Sequence, residues 1–247
     1  MGKRPLVRKR GRGGMQFRAA VTNKIKPAKY PAFDLDGSYQ GNVIDIVHES
    51  GRDVPLSKVI FDDGSISFIP AVLGTKVGSK INFSLSAEIA DGNVTSIQNI
   101  PDGTIVCNVE KQFGDGGALI KSAGGNATVF SHTDKGVTLK LASGKFTTLN
   151  PKNRAMIGTL AGGGVGDRPF MRAGVKWRRF RTKGHKYPIV RGVAQAAYQH
   201  PHGGGRHQHV GQSSTVSRNA PPGAKVGSIA ARKTGRARIK ERKQSQK

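Results

Sequence analysis

Alternating apolar and polar residues mark short segments throughout the middle of the chain. In residues 80–85, Ile81, Phe83 and Leu85 fall on one face of an extended chain and polar side chains fall on the other. Alternation with a period of two indicates half-buried β-strands. The same pattern predicts further strands at 41–47, 58–61, 66–69, 93–97, 105–110, 127–131, 137–141 and 146–149.

Aspartate-glycine pairs separate several of these segments, as expected for tight turns between strands. They occur at Asp63-Gly64, Asp91-Gly92, Asp102-Gly103 and Asp115-Gly116. Many short strands joined by close turns predict an all-β fold built from small barrels rather than a parallel sheet. The middle of the chain has room for two such barrels, with a seam at residues 101–103. No long amphipathic helix and no internal repeat of fixed period are found.

Charge divides the chain into three parts whose average hides a sharp contrast. The formal net charge is +26 in 247 residues. Residues 1–29 contain 10 basic residues (Lys or Arg) and no acidic residue. Residues 30–160 contain 11 basic and 13 acidic residues, and residues 161–247 contain 20 basic and two acidic residues. A surface selected for solubility alone mixes both signs. The two basic ends therefore predict a polyanionic partner, either nucleic acid or an anionic membrane.

Several classes of protein are excluded or disfavoured by composition. The only cysteine, Cys107, allows no intramolecular disulfide and no cysteine-based zinc cluster, which fits a reducing compartment. Its position within the strand predicted at 105–110 favours a buried, inert thiol. The basic N-terminus is not followed by the apolar run of a secretory signal. The longest apolar-leaning stretch, residues 65–73, is too short to span a bilayer, so no membrane-spanning segment is predicted. Of the two polyanions, nucleic acid is the predicted partner and a membrane is not.

The C-terminal part of the chain cannot build a core of its own. Residues 161–247 contain 14 glycines and five prolines. Such a composition buries too little apolar surface to offset the conformational entropy of the chain. We therefore expect both basic arms to order only on their polyanion. Residues 230–247 are predicted to form a basic helix.

Basic and aromatic residues are interleaved within the C-terminal arm. Trp177-Arg178-Arg179-Phe180-Arg181 is the densest example. Arg and Lys contact phosphates, while aromatic rings stack on unpaired bases. The absence of any acid from residue 168 to residue 240 argues against an ordinary solvated surface.

A histidine-rich segment, residues 200–209, leaves more than one interpretation open. Paired His-x-His elements suit zinc, but Arg206 places a permanent charge inside such a site and no acid lies nearby. A histidine-dependent hydrolase would also need an orienting carboxylate. Histidines that contact RNA are the favoured interpretation, and no metal or other cofactor is predicted. A DNA-architectural protein is disfavoured because no recognition helix or dimer-forming heptad is present.

The residues around this segment resemble a known family. His202 and the three glycines after it, with VRGVA at 190–194 and AARKTGR at 230–236, closely resemble the C-terminal region of the universal large-ribosomal-subunit protein two family. PDGT at 101–104 and NRAMIG at 153–158 extend the resemblance to the middle. The RHQH sequence at 206–209 and the lack of a long insert before Phe68 are similar to archaeal-type members.

The resemblance implies a fold and a function. It implies a basic N-terminal arm at 1–36, an OB-fold RNA-binding barrel at 37–99, an SH3-like barrel at 100–160, and a glycine-rich basic extension at 161–247 threaded into rRNA. It also implies a structural role near the peptidyl transferase centre that supports subunit association, tRNA binding and peptide-bond formation. Implied partners are large-subunit rRNA, other ribosomal proteins and a bridge to the small subunit, in the cytoplasm. A direct catalytic role for His202 is not favoured, because Gln199 stands where many relatives carry an acid.

Together the pattern and the resemblance give a set of candidate RNA contacts. We predict phosphate contacts from the Lys and Arg residues of both arms and base contacts from two aromatics and one histidine. The phosphate set is Arg8, Lys9, Arg10, Arg12, Arg178, Arg179, Arg181, Arg206, Arg232, Lys233 and Arg236. The base set is Trp177, Phe180 and His202.

Overall fold

The computed structural model describes residues 6–32 and 37–232, and these fall into two units. One unit is Val21–Met171. The other joins the N-terminal segment up to Ala20 with the chain from Arg172 onward. The two basic segments, which lie at opposite ends of the sequence, are therefore part of one unit.

The unit Val21–Met171 is built from strands, which confirms the all-β prediction. Its strands in chain order are β1 (Tyr39–Val47), β2 (Leu56–Phe61), β3 (Ile66–Pro70), β4 (Lys80–Phe83), β5 (Val94–Ser96), β6 (Ile105–Cys107), β7 (Ala127–Thr133), β8 (Gly136–Leu141), β9 (Phe146–Leu149) and β10 (Arg154–Ile157). Each segment predicted from alternation overlaps one of these strands. Only β10 was missed, because RAMI is too short and too apolar to show a period.

All of these strands belong to one continuous sheet. Its order is β3-β2-β1-β4-β5-β10-β6-β7-β8-β9, and neighbours are antiparallel except for β4 and β5. The last strand of this unit, β10, thus lies in the centre of the sheet, paired with β5 on one side and β6 on the other. This placement joins the two halves of the sheet through main-chain hydrogen bonds.

Two separate hydrophobic clusters fill the unit, one for each half of the sheet. The first includes Val59, Phe61 and Phe83, and the second includes Val129 and Leu139. Within β10, Met156 contributes to the first cluster, whereas its neighbours contribute to the second. Two cores explain why one sheet can hold ten strands without either core becoming large.

The half-buried character predicted for residues 105–110 is wrong. Ile105 is 45% exposed, but Val106, Cys107, Val109 and Glu110 are all fully buried. Val106 and Val109 pack in the second cluster and Cys107 packs in the first. Because this segment runs between two cores, both of its faces are covered.

The predicted turns are confirmed. All four Asp-Gly pairs place the glycine at positive φ, for example +79° at Gly64. A left-handed conformation of this kind costs a side-chain-bearing residue about 1–2 kcal/mol. The Oδ1 atom of Asp63 accepts the Ser65 N–H at 2.9 Å, as expected for an Asx turn.

The second unit has little regular structure. It contains the helices α1 (Leu6–Arg10) and α2 (Ala173–Thr182) and a two-stranded parallel ribbon, β11 (Thr215–Val216) and β12 (Ser228–Ile229). Among its described residues, Val226 is the only buried hydrophobic side chain. The ten-residue helix α2 was not predicted, because its apolar positions are few.

The basic helix predicted for residues 230–247 lies mostly outside the described residues. Its described start, 230–232, is not helical, and Ala230 has a φ of +51°. None of the helices within the described ranges combines the length and the apolar character that a bilayer crossing requires.

Candidate nucleic-acid interface

The charge imbalance falls almost entirely on the unit with little regular structure. Its described ranges, 6–20 and 172–232, carry 17 Lys and Arg residues and no Asp or Glu. In contrast, Val21–Met171 carries 15 Lys and Arg residues and 14 Asp and Glu residues. Coulomb repulsion among these cations cannot be relieved by carboxylates of the same segments. A polyanion is the ligand that neutralises such a surface.

Helix α2 presents a cation and an aromatic ring together on its exposed side. Trp177 is 44% exposed, and the Arg181 guanidinium lies 5.3 Å from the centroid of its ring, one turn away. Arg178 is exposed beside them. A guanidinium held over an indole can bind a phosphate while leaving the other ring face open to a base.

The opposite side of α2 packs within the unit. Phe180 is half-buried, with its ring centroid 5.6 Å from that of His185 and 5.5 Å from that of Tyr187. The Lys176 ammonium lies 5.2 Å from the Tyr187 ring centroid. Phe180 and Arg179 are therefore less accessible than their neighbours in the predicted set, and these contacts orient the exposed side of the helix.

A glycine after α2 lies close to the main chain of the N-terminal basic segment. Gly184 is buried with a φ of +68°, and a Cβ there would lie 2.8 Å from main-chain atoms of Phe17, Arg18 and Ala19. Only glycine fits both restrictions. Gly184 also lines a cavity of about 380 Å³, together with Arg10 and Phe17 of the N-terminal segment and Phe180 of α2. Nothing in the sequence pattern indicated this pairing of the two termini.

The N-terminal members of the predicted set are close together. Arg8, Lys9 and Arg10 are exposed on the single turn of α1, and Arg12 is exposed just after it. The Nε atom of Arg18 donates to the Gly13 carbonyl at 2.7 Å and closes the loop that follows. The segment can thus offer four cations to one stretch of phosphates.

The triple glycine of the histidine segment packs against main chain. A Cβ on Gly203 would lie 2.4 Å from the Gln195 oxygen and 2.5 Å from the Ala196 oxygen. The Gly204 N–H donates to the same Gln195 oxygen at 3.0 Å. The glycines are required here by the fold of the chain itself, independently of any ligand.

The two central histidines interact with each other. Their ring centroids are 5.0 Å apart, and the main-chain N–H of His202 donates to Nδ1 of His200 at 3.0 Å. Burial, and then the nearby His202, lower the pKa of His200 below its usual value. A neutral imidazole that accepts a main-chain hydrogen bond is a structural element of this loop. Within the described residues, no group of three or more His, Cys, Asp or Glu side chains is placed to hold a metal ion.

The other predicted contacts are distributed along the unit rather than gathered in one pocket. His202 is half-buried, Arg206 is exposed in the histidine segment, and Arg232 is exposed at the end of the described chain. Lys233 and Arg236 lie outside the described residues. The described members form three groups, on and just after α1, on α2 and around 202–206, with Arg232 as a further member at the end of the described chain.

Val21–Met171 contains a buried ion pair that the sequence pattern did not indicate. We call this unit the balanced unit, because its acidic and basic residues nearly match in number. Glu110 is fully buried, and its Oε1 accepts from Arg154 Nη2 at 2.7 Å and from the Gly116 N–H at 3.0 Å. Its Oε2 accepts the Arg154 main-chain N–H at 3.0 Å. The carboxylate is thus paired and hydrogen-bonded on both oxygens, as a buried charge must be.

The buried, inert thiol predicted at Cys107 is confirmed. The side chain is fully buried, and burial, followed by the charge of Asp91, raises the pKa of Cys107 to about 12. A thiol with this pKa is protonated at neutral pH and is a poor nucleophile.

Comparison with known proteins identifies relatives for the entire chain. Residues 90–241 match the family model described as Ribosomal Proteins L2, C-terminal domain. The chain is 77% identical over 243 residues to the large ribosomal subunit protein uL2 of Cenarchaeum symbiosum, an alignment that covers 98% of this chain and all of the relative. It is 74% identical to the protein of the same name from Nitrosopumilus maritimus, again over 98% of this chain and all of the relative. It is 46% identical to that of Sulfurisphaera tokodaii over 96% of this chain and 98% of the relative.

Proposed function

The chain belongs to the uL2 family of large ribosomal subunit proteins, and from this premise we propose that it is a structural, non-enzymatic constituent of that subunit. It binds rRNA chiefly through the unit that joins the segment up to Ala20 with the chain from Arg172 onward, which we call the basic unit. The observation that carries the proposal is the surface made by residues 6–20 and 172–232, with 17 cations and no carboxylate. Large-subunit rRNA supplies the negative charge that this surface lacks.

The mechanism is charge neutralisation combined with shape. Lys and Arg side chains on α1, on α2 and around 206 replace the counterions of converging phosphates, and the release of those counterions favours binding. Trp177 offers an open ring face to an unpaired base. The Gly-rich loops let main chain run close to the sugar-phosphate backbone.

The balanced unit contains the two hydrophobic clusters. We propose that its two hydrophobic clusters correspond to an OB-fold barrel within 37–99 and an SH3-like barrel within 100–160. The two clusters divide the chain near this boundary, since Val94 lies in the first and Ile97 in the second. Cys107, Met156 and Leu160, from the second range, pack in the first cluster, so on this proposal the two barrels share their central strands.

The finer assignments follow from the family. We propose that the chain lies near the peptidyl transferase centre, supports subunit association and tRNA binding, contacts neighbouring ribosomal proteins and the small subunit, and works in the cytoplasm as part of the ribosome. A catalytic part for His202 in peptide-bond formation is not proposed. The imidazole of His202 packs close to Gly227, with its Cε1 atom 3.4 Å from the position of a Cβ built there. The main-chain N–H of His202 donates to Nδ1 of His200. Both contacts are typical of a residue with a structural role.

Salt dependence tests the proposed binding mode. If six to ten phosphates are contacted, affinity for deproteinised large-subunit rRNA should fall by about 10³–10⁵ between 50 and 200 mM salt. Filter binding or fluorescence anisotropy of the full chain over this range gives the slope. A Cys107→Ala chain is a matched control, because the thiol is buried in the other unit. A flat salt response would overturn the proposal in favour of a pocket-type site.

A further inference from the structure

The outer face of β6–β9 exposes two phenylalanines that the core does not use. Phe130 and Phe146 are each 54% exposed, and their ring centroids are 4.9 Å apart at an interplanar angle of 65°. They belong to the balanced unit, far in sequence from the basic segments. Large aromatic side chains that contact each other while open to solvent indicate a surface that is covered in the functional state.

The strand register builds a continuous row across this face. Ile105 pairs with Thr128, Thr128 pairs with Lys140, and Lys140 pairs with Phe146. Directly paired residues of neighbouring strands lie on the same side of a sheet. The opposite side, with Val129 and Leu139, is buried in the second hydrophobic cluster. The row is therefore the solvent side of a sheet whose other side is already filled.

A bulge brings the second phenylalanine to this row. The register of β7 and β8 shifts between Val129 and Ser131, so Phe130 has no direct partner on β8. Bulges of this kind redirect a side chain and are frequent beside binding sites. Here the bulge places the Phe130 ring against Phe146, two strands away.

The charge of this face favours RNA over a second protein. Strands β6–β9 contain no Asp or Glu, and exposed Lys140 and Lys145 flank Phe146. The acids beside these strands are Asp102, which is paired with His132 Nδ1 at 2.8 Å, and Asp134, in the turn between β7 and β8 next to Lys135. Lysine is depleted at the centre of protein–protein interfaces, whereas lysine beside an aromatic ring suits a phosphate next to a stacked base.

We propose that this face, which we call the phenylalanine platform (Ile105, Phe130, Lys140 and Phe146), binds unpaired nucleotides of rRNA by stacking. The proposal rests on the proposed function and adds a second contact surface, in the unit whose net charge alone gives no reason to expect one. Phe130 and Phe146 supply ring faces and edges for one or two bases. Lys140 and Lys145 contact the phosphates beside those bases.

Paired substitutions at the two phenylalanines test the proposal in the full chain. Phe130→Ala with Phe146→Ala should weaken binding to deproteinised large-subunit rRNA by about tenfold or more, as stacking losses generally do. The salt slope should stay unchanged, because no cation is removed. Since both rings are more than half exposed, the urea midpoint should change little, and far-ultraviolet circular dichroism checks the fold.

Two further variants separate stacking from general apolar contact. Phe130→Leu with Phe146→Leu keeps apolar area but removes the rings, so it should bind as weakly as the alanine pair. Phe146→Trp keeps a ring and should bind at least as tightly as the unaltered chain. Lys140→Gln should reduce the salt slope by about one.

The outcomes are distinguishable from failure of the proposed function. If the unaltered chain shows no salt-dependent binding, the proposed function is wrong and this inference falls with it. If the unaltered chain binds and the alanine pair binds equally well, only the phenylalanine platform is overturned. Full binding by the leucine pair and weak binding by the alanine pair would also overturn stacking, in favour of general apolar contact between this face and the RNA.

Discussion

The two units of this chain differ in charge balance and in how much apolar surface they bury. In Val21–Met171, the numbers of acidic and basic residues nearly match and two hydrophobic clusters are complete. In the described ranges 6–20 and 172–232, cations have no carboxylates to meet, and Val226 is the one buried hydrophobic side chain. The first unit can be stable by burial alone. We propose that an anionic partner completes the second.

Charged groups show the same contrast at the level of single side chains. In the balanced unit, Glu49 lies 3.2 Å from Lys24 and 3.1 Å from Arg52, and Glu110 is buried against Arg154. In the basic unit, Arg178 is exposed and Arg181 lies over Trp177. Charges that are neutralised internally stabilise a fold, whereas charges left open are available to a ligand.

Removing the C-terminal part should have the largest effect and should separate the two units completely. A chain ending at Met171 loses 19 Lys and Arg residues and should bind deproteinised rRNA about 10³-fold or more weakly at 150 mM salt, because most phosphate contacts are lost. Its strands should remain folded, as seen by a cooperative urea transition. A chain ending at residue 232 keeps 12 of those 19 cations and is the intermediate control. Loss of the cooperative transition, or full-strength binding by the shorter chain, would contradict the division.

Opening the buried ion pair should have the next largest effect, on stability. Arg154→Met leaves the Glu110 carboxylate buried without its guanidinium partner, which generally costs about 3–5 kcal/mol. Arg178→Met, on the exposed side of α2, should change the free energy of unfolding by less than about 0.5 kcal/mol. Urea denaturation of both full-length variants gives the comparison. Equal effects at the two positions would mean that the contrast between internal and open charges is wrong.

The pH dependence of stability should show the smallest effect. The pKa of Cys107 is raised to about 12 in the fold, from an ordinary value of about 9 that applies to the unfolded chain. Above pH 9 the unfolded chain therefore binds fewer protons than the folded chain, so stability falls as pH rises. At pH 10 the loss should be roughly 1 kcal/mol relative to its value at pH 8.

A variant isolates this contribution from other groups. Cys107→Ala removes the titrating thiol, so the difference between the two chains in urea unfolding at pH 8, 9 and 10 reports Cys107 alone. The range ends at pH 10 because burial also raises the pKa of Tyr30. Rapid alkylation of the native chain at pH 8 would contradict the buried position of the thiol.

The sequence by itself determined the class of the fold and the positions of most strands, and it predicted a polyanionic ligand. Alternation at residues 80–85 and 137–141 reflects one face turned to a core and one to solvent, which is a local property. Asp-Gly pairs specify turns through the conformational freedom of one residue. Net charge needs no structure at all, and the glycine-rich basic ends already excluded a self-sufficient core. Family resemblance, carried by the segment around His202, gave the ribosomal assignment that the relatives confirm.

Only the tertiary structure decided which local patterns meet. Residues 105–110 looked half-buried, yet they are covered on both faces because two cores flank them. The pairing of Glu110 with Arg154, the approach of Gly184 to Phe17, and the contact of Phe130 with Phe146 all join residues that are distant in sequence. Periodicity and composition describe neighbours along the chain, whereas burial, ion pairing and surface patches depend on neighbours in space.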